Sequence, residues 1–179
     1  MSETSKAGAP REPCRLPFYR ELPGMELYMD QVITLAASCL SGLVPDERGL
    51  TPSMINNYVK MRVLPPPVKK RYGREHLACL FMVSVLKQVL PVLTVGGLIR
   101  DGLTVMPLES LYDRFVSFAR ESFPRTEKQL EDAGPSLKNT GDGKWSFPIL
   151  AALMFAVDAN TERLYAERLL SSDPPEEKK

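Results

Sequence analysis

Ser53, Asn56, Asn57 and Lys60 recur at helical intervals in the stretch Thr51–Arg74, and Lys69, Lys70 and Arg71 follow close behind. An asparagine amide presents a donor and an acceptor together, the pair that bonds an adenine edge in the major groove, while serine and lysine suit phosphate or guanine contacts. At 3.6 residues per turn, Met54, Ile55, Tyr58 and Met61 share one helix face and Ser53, Asn56, Asn57 and Lys60 share the other. The charged residues of Thr51–Arg74 are Lys60, Arg62, Lys69, Lys70, Arg71 and Arg74, with no Asp or Glu, although the whole chain nets only +1. Charge is thus sorted locally, and Lys69, Lys70 and Arg71 are expected to straddle phosphates beside the groove. Tyr72 has two roles open to it, a hydroxyl bond to a phosphate or packing of the basic segment against the core. The plain counter-reading of the Asn56–Asn57 face is a solvated helix surface.

Other chemistry is poorly supplied. His76 is the only histidine, and one residue after Glu75 at a helix start it reads as a surface or capping residue. Cys14, Cys39 and Cys79 are odd in number and lack a CxxC pair, so neither a disulfide frame nor a metal site is expected. No GxSxG elbow or phosphate-binding glycine loop is present; Gly141, Gly143 and Lys144 are not followed by Ser or Thr and read as a turn. The expectation is a non-enzyme without cofactor or metal. The most apolar run, Leu77 to Leu93, is broken by Lys87 and Pro91, so a membrane span is not expected, and a cytoplasmic location is.

The elements that must position these residues follow from proline punctuation and apolar spacing. Residues 1–24 carry Pro10, Pro13, Pro17 and Pro23 and predict a flexible arm. Tyr28, Val32, Leu35, Cys39 and Leu43 predict an amphipathic helix from Met25 to about Leu43. Thr51–Pro52 is an N-cap and first-turn pair, and Pro65, Pro66 and Pro67 stop that second helix near Arg62 or Val63. Val68–Tyr72 then predicts a short exposed wing. Leu77, Leu80, Phe81 and Val85 place a central core helix from Arg74 to about Leu90. Gly96 and Gly97 limit the next helix to a short turn over Thr94–Ile99. A further helix spans Pro107–Phe123 with Pro124 as its stop, a brief helix occupies Glu127–Asp132, and KNTGDGK is a turn. The last helix starts at Ser146 and Pro148, with Leu150, Leu153, Met154, Val157, Leu164 and Tyr165 as its buried stripe. The tail 172–179 is expected to be disordered.

INNYVKMRVLPPP followed by KRYGREHLACL resembles the MerR-type winged helix-turn-helix at Tyr58, Leu64–Pro65, Lys70–Arg71, Tyr72 and Leu77. ELPGMELYMDQVITL with LTPSMINNYVKMRVLPPPVKKRYGREHL is similar to a bacterial family catalogued as a domain of unknown function, a likeness over most of residues 20–170. The MerR resemblance implies a helix-turn-helix DNA-binding head, with Ser53, Asn56, Asn57 and Lys60 toward the groove and Lys69, Lys70 and Arg71 on the backbone. The segment Pro67–Tyr72 is shorter than a usual wing, and the C-terminal part lacks the long heptad helix through which such regulators dimerise.

The fold expected is all-α: a MerR-like head over residues 25–100 with a short basic wing, then a helical C-terminal domain over residues 101–171. The function expected is transcriptional regulation through double-stranded DNA, with a homodimer joined through the C-terminal helices and an effector of unknown identity. The alternative is a helical module that binds a protein partner through Pro107–Ser171 and does not bind DNA.

Overall fold

Proline and threonine at residues 51–52 start a helix where the sequence predicts one: Thr51 Oγ1 accepts the Met54 amide at 3.2 Å, and Pro52 has no amide left unpaired in the first turn. In the computed structural model, which describes residues 16–45, 49–138 and 146–171, this element joins five other α-helices. They are α1 (Met29–Cys39), α2 (Pro52–Lys60), α3 (Arg74–Leu86), α4 (Val92–Val105), α5 (Leu108–Lys138) and α6 (Ser146–Ser171). Among the described residues no sheet forms, only isolated β-bridges, so the all-α class holds. No helix in them is long and apolar enough to cross a membrane.

The hub is α3. Leu77 through Ser84 are all buried, because α4 and α5 pack against α3 and its remaining sides lie within one buried cluster, and Ser84 satisfies its hydroxyl on the Leu80 carbonyl at 2.7 Å. Its apolar run is wound through a turn from Lys87 to Leu90 ahead of Pro91. One cluster of buried side chains runs from Leu16 through Val32, Ile55, Phe81, Val95 and Tyr112 to Ala119, drawing on both sides of residue 100.

Several expectations change. The segment from Leu16 to Gly24 is packed, with Leu16 and Leu22 buried. Arg120 donates two hydrogen bonds to the Leu16 carbonyl at 3.2 and 2.6 Å, and Arg74 donates two to the Leu22 carbonyl at 3.1 and 3.0 Å. Between the prolines only a single 3-10 turn forms, Tyr19–Glu21, and the Leu16 and Leu22 carbonyls outside it accept the arginine forks. Residues 1–15 of the expected arm, Cys14, the residues 139–145 that hold most of KNTGDGK, and the tail 172–179 lie outside the described residues.

Helix α1 starts at Met29, four residues later than expected, because Leu27 is held extended: it exchanges backbone hydrogen bonds with Tyr72, both at 2.9 Å. Helix α4 runs fourteen residues through Gly96, Gly97 and Gly102, since two of these glycines sit where another chain segment comes close. Helix α5 passes through Pro124 and Pro135. A proline inside a helix costs roughly 3 kcal/mol; here the continued helix packs on α6, where Gln129 donates to Asp158 at 2.6 Å.

The last change concerns α6. Of its expected buried stripe, Leu150 and Met154 are half-buried, while Leu153, Val157, Leu164 and Tyr165 are exposed. The periodicity is present, but the side of α6 that packs on α5 is the one carrying Ala151, Met154 and Asp158.

Candidate nucleic-acid interface

Helix α2 buries Ile55 and Tyr58 and exposes Ser53, Asn56, Asn57 and Lys60, the division its spacing predicts. Met54 and Met61, expected inside, are half-buried at the edges. Asn57 spends its amide nitrogen on Met61 Sδ at 3.3 Å, a weak bond that orients the side chain along the helix. The helix ends in a Schellman turn. Arg62 takes a left-handed φ of 57°, its amide donates to the Val59 carbonyl at 3.0 Å, and the Val63 amide donates to the Tyr58 carbonyl at 2.9 Å. Val63 and Leu64 then enter the core ahead of Pro65–Pro67, so the corner after α2 is anchored on both sides.

The basic segment is a β-hairpin with a two-residue loop. Val68 and Arg71 exchange backbone hydrogen bonds at 3.1 and 2.9 Å, and Lys69 and Lys70 between them have φ of 50° and 64°. Positive φ at both loop positions is the primed type I geometry, which favours Asn-Gly because their left-handed backbone is cheap. This hairpin holds two lysines there, both exposed. Among the described residues, Lys60, Lys69 and Lys70 have no carboxylate within ion-pair distance.

Arg71 is already engaged. It donates to Tyr28 Oη at 3.2 Å, lies 5.2 Å from the centroid of that ring and is 3.9 Å from Glu26 Oε2. A phosphate reaching Arg71 competes with these partners. Tyr72 does not present its ring to solvent: the residue is 2% exposed, burial raises its phenol pKa, and its ring sits edge-on to His76 at 5.6 Å. The phosphate contact open to Tyr72 from sequence is therefore replaced by the packing role.

His76 holds the base of the hairpin. Its Nδ1 accepts the Gly73 amide at 3.1 Å, which leaves Nε2 to donate to the Pro66 carbonyl at 3.2 Å. One imidazole thus joins the proline corner to the start of α3, and with the Leu27–Tyr72 exchange it fixes the stem from which Lys69 and Lys70 project. The capping position of His76 is legible in sequence; Leu27, Tyr28 and Glu26 carry no local signal, because their partners lie more than forty residues away. Arg74, counted among the basic residues of the stretch, is turned to the Leu22 carbonyl and lies 5.7 Å from the Tyr19 ring centroid, and Lys87 lies over the Tyr58 ring at 5.8 Å.

The two described cysteines are buried and free. Burial, with Glu75 as a second cause, pushes the Cys79 thiol up to about 11, so at neutral pH it is a protonated core side chain and a poor nucleophile. The sign of the linkage is clear. A thiol whose folded pKa is raised contributes stability below pH 9 that is lost as pH climbs toward 11, about 2 kcal/mol for a shift of this size. Urea melts at pH 8 and pH 11 should show that loss, and Cys79→Ala should reduce it; an unchanged pH slope in the variant would place the effect elsewhere. No group of three His, Cys, Asp or Glu among the described residues is arranged to hold a metal ion.

No curated protein and no solved structure matches the chain. Residues 17–115, more than half of the chain, match the family described as Domain of unknown function (DUF1836), and the chain belongs to that family.

Proposed function

We propose that residues 25–100 form a MerR-like winged helix-turn-helix head that binds duplex DNA, with α2 as the recognition helix and the Val68–Arg71 hairpin as a short wing, and that the protein regulates transcription. The observation that carries this reading is the strained hairpin tip. Two lysines occupy left-handed positions, free of carboxylate partners among the described residues, on a stem clamped by His76 and the Leu27–Tyr72 exchange. Strained backbone that persists on a rigid support is a mark of functional sites. The exposed Ser53, Asn56, Asn57 and Lys60 of α2 supply the complementary half: a neutral donor-acceptor surface suited to base edges, with one cation for a phosphate or guanine.

The test is fluorescence anisotropy on duplexes selected from the source genome, with salt varied. Asn56→Ala should relax the choice of base at one position by about 1–3 kcal/mol while leaving the salt slope unchanged. Failure of the wild-type protein to bind any duplex at low salt would reject the reading in favour of a helical protein-interaction module, for which the exposed apolar face of α6 is the supporting observation.

A further inference from the structure

Two arginines line one cavity where the corner after α2 meets α4. The cavity, of about 290 Å³, is bounded by Arg62, Val63 and Leu64 from the corner and by Ile99, Arg100 and Leu103 from α4. No Asp or Glu lines it. Among the described residues neither guanidinium has a carboxylate within ion-pair distance. Asp101, the nearest acid to Arg100 in sequence, is one step further round the helix, where neighbours do not face each other. Two like charges brought to one cavity without a counter-charge repel each other, and an anion reverses the sign of that interaction.

The backbone on both sides admits the two guanidinium groups. Arg100 lies back over the preceding turn of α4, as long helical side chains do, and that turn carries Gly96 and Gly97: a Cβ there would stand 3.5 Å from Arg100 Nη1 and 3.9 Å from Nη2. The same point at Gly96 is 2.9 Å from Val63 Cγ2, so the guanidinium and Val63 share the space that a side chain at residue 96 would take. Arg62 stands at the left-handed position after α2, φ 57°, where glycine is the usual residue. Backbone held against its preference clusters at ligand sites. Below the two cations the lining is apolar, with Val63, Leu64 and Ile99 buried and Leu103 44% exposed at the rim. A DNA phosphate diester would meet the charges and leave this apolar lining uncovered.

We infer that this cavity binds a small amphiphilic oxyanion, its carboxylate or phosphate monoester head on Arg62 and Arg100 and its apolar body against Val63, Leu64, Ile99 and Leu103. Guanidinium groups only donate hydrogen bonds, so the head must be an acceptor, and both kinds of oxyanion match the arginine fork. The volume limits the ligand to about ten non-hydrogen atoms, at the roughly 30 Å³ that one water takes in the liquid, which is the small end of ligand cavities. The site does not depend on DNA binding, so its outcome and that of the DNA experiments are read separately.

Isothermal titration calorimetry on the full chain, without DNA, tests it with three probes: octanoate, hexyl phosphate and the neutral octan-1-ol. At least one anion should bind at least about 10-fold more tightly than octan-1-ol, and whichever anion binds better identifies the head. Arg62→Gln with Arg100→Gln should bring that anion down to the level of octan-1-ol, whose own binding should not change. Leu103→Trp, which fills the rim, should weaken all three probes. Both variants alter exposed side chains, so Tm should stay within error, and either one alone suffices to locate the site. Arg114, beside the apolar cavity between α4 and α5, supplies the control: Arg114→Gln should bind the anion as wild type does. Equal affinity for the anions and octan-1-ol, or loss of anion binding in Arg114→Gln and not in the double variant, would overturn the inference. So would a wild type that binds neither anion while the double variant loses duplex affinity, a result that would assign the two cations to a phosphate diester.

Discussion

Changing Lys69 to Asn and Lys70 to Gly together is expected to make the protein more stable and a much weaker DNA ligand, two opposite shifts measured on the same pair of purified chains. The stability gain comes from the backbone. Both lysines sit at positive φ in the hairpin loop, where an ordinary residue is disfavoured by roughly 1–2 kcal/mol and Asn-Gly is the preferred pair. Relief of even half that strain gives about 1–2 kcal/mol, or roughly 2–8 °C in Tm for a chain of this size. The binding loss comes from counterion release. Removing two phosphate contacts should lower the slope of log K against log salt by about 1.8 and weaken binding near 0.1 M salt roughly 50-fold. The loss should be nearly the same on every duplex, because neither lysine is assigned a base.

The two arms separate the claims. Lower stability would contradict the turn assignment, and unchanged DNA affinity would remove the hairpin from the interface. Arg71 is left out of the pair deliberately: its bonds to Tyr28 and Glu26 mean that Arg71→Ala disturbs the stem of the hairpin as well as any phosphate contact.

What could be read from the chain is what local rules encode. The Thr51–Pro52 start, the proline stop and the two faces of α2 are decided within a dozen residues, so Ser53, Asn56, Asn57 and Lys60 fall where their spacing places them. The exposed basic turn was legible for the same reason. Its stem was not, because Leu27 and Tyr72 are brought together by the fold and neither lies in a strand-like run. Tyr72 illustrates the difference: its neighbours in sequence are cations, while its neighbours in space are Leu27 and His76. Proline and glycine misled where tertiary packing outweighs propensity, as at Pro124 within α5 and at Gly96 and Gly102 within α4. In α6 the apolar period was legible, but the period alone does not say which neighbour covers it.

The glycines of α4 are also where the largest change in stability from a single methyl should be found. Ordinarily Gly→Ala inside a helix is favourable by about 1 kcal/mol. At Gly96 a Cβ would stand 2.9 Å from Val63 Cγ2 and 3.4 Å from Cγ1. Val63 is buried, β-branched and fixed at the Schellman turn that ends α2, so it has little freedom to withdraw. Overpacking of this kind costs about 1–3 kcal/mol, which should outweigh the propensity gain and leave Gly96→Ala less stable than wild type. At Gly102 the clash is equally close, 2.9 Å to Leu111 Cδ2, but Leu111 is half-buried and borders an apolar cavity of about 300 Å³ beside Met106, Phe115 and Ile99. Its tip can swing into that space, so Gly102→Ala should be neutral or stabilising by up to about 1 kcal/mol. Urea melts of the two variants should therefore move in different directions. Val63→Ala combined with Gly96→Ala should recover part of the loss, a coupling visible only if the two side chains compete for the same volume. Because Val63 closes the corner between α2 and the hairpin, Gly96→Ala should also weaken DNA binding, and Gly102→Ala should leave it unchanged. Equal destabilisation by both substitutions would show that α4 tolerates no side chain at either position and that the contact with Val63 is not what requires glycine at residue 96.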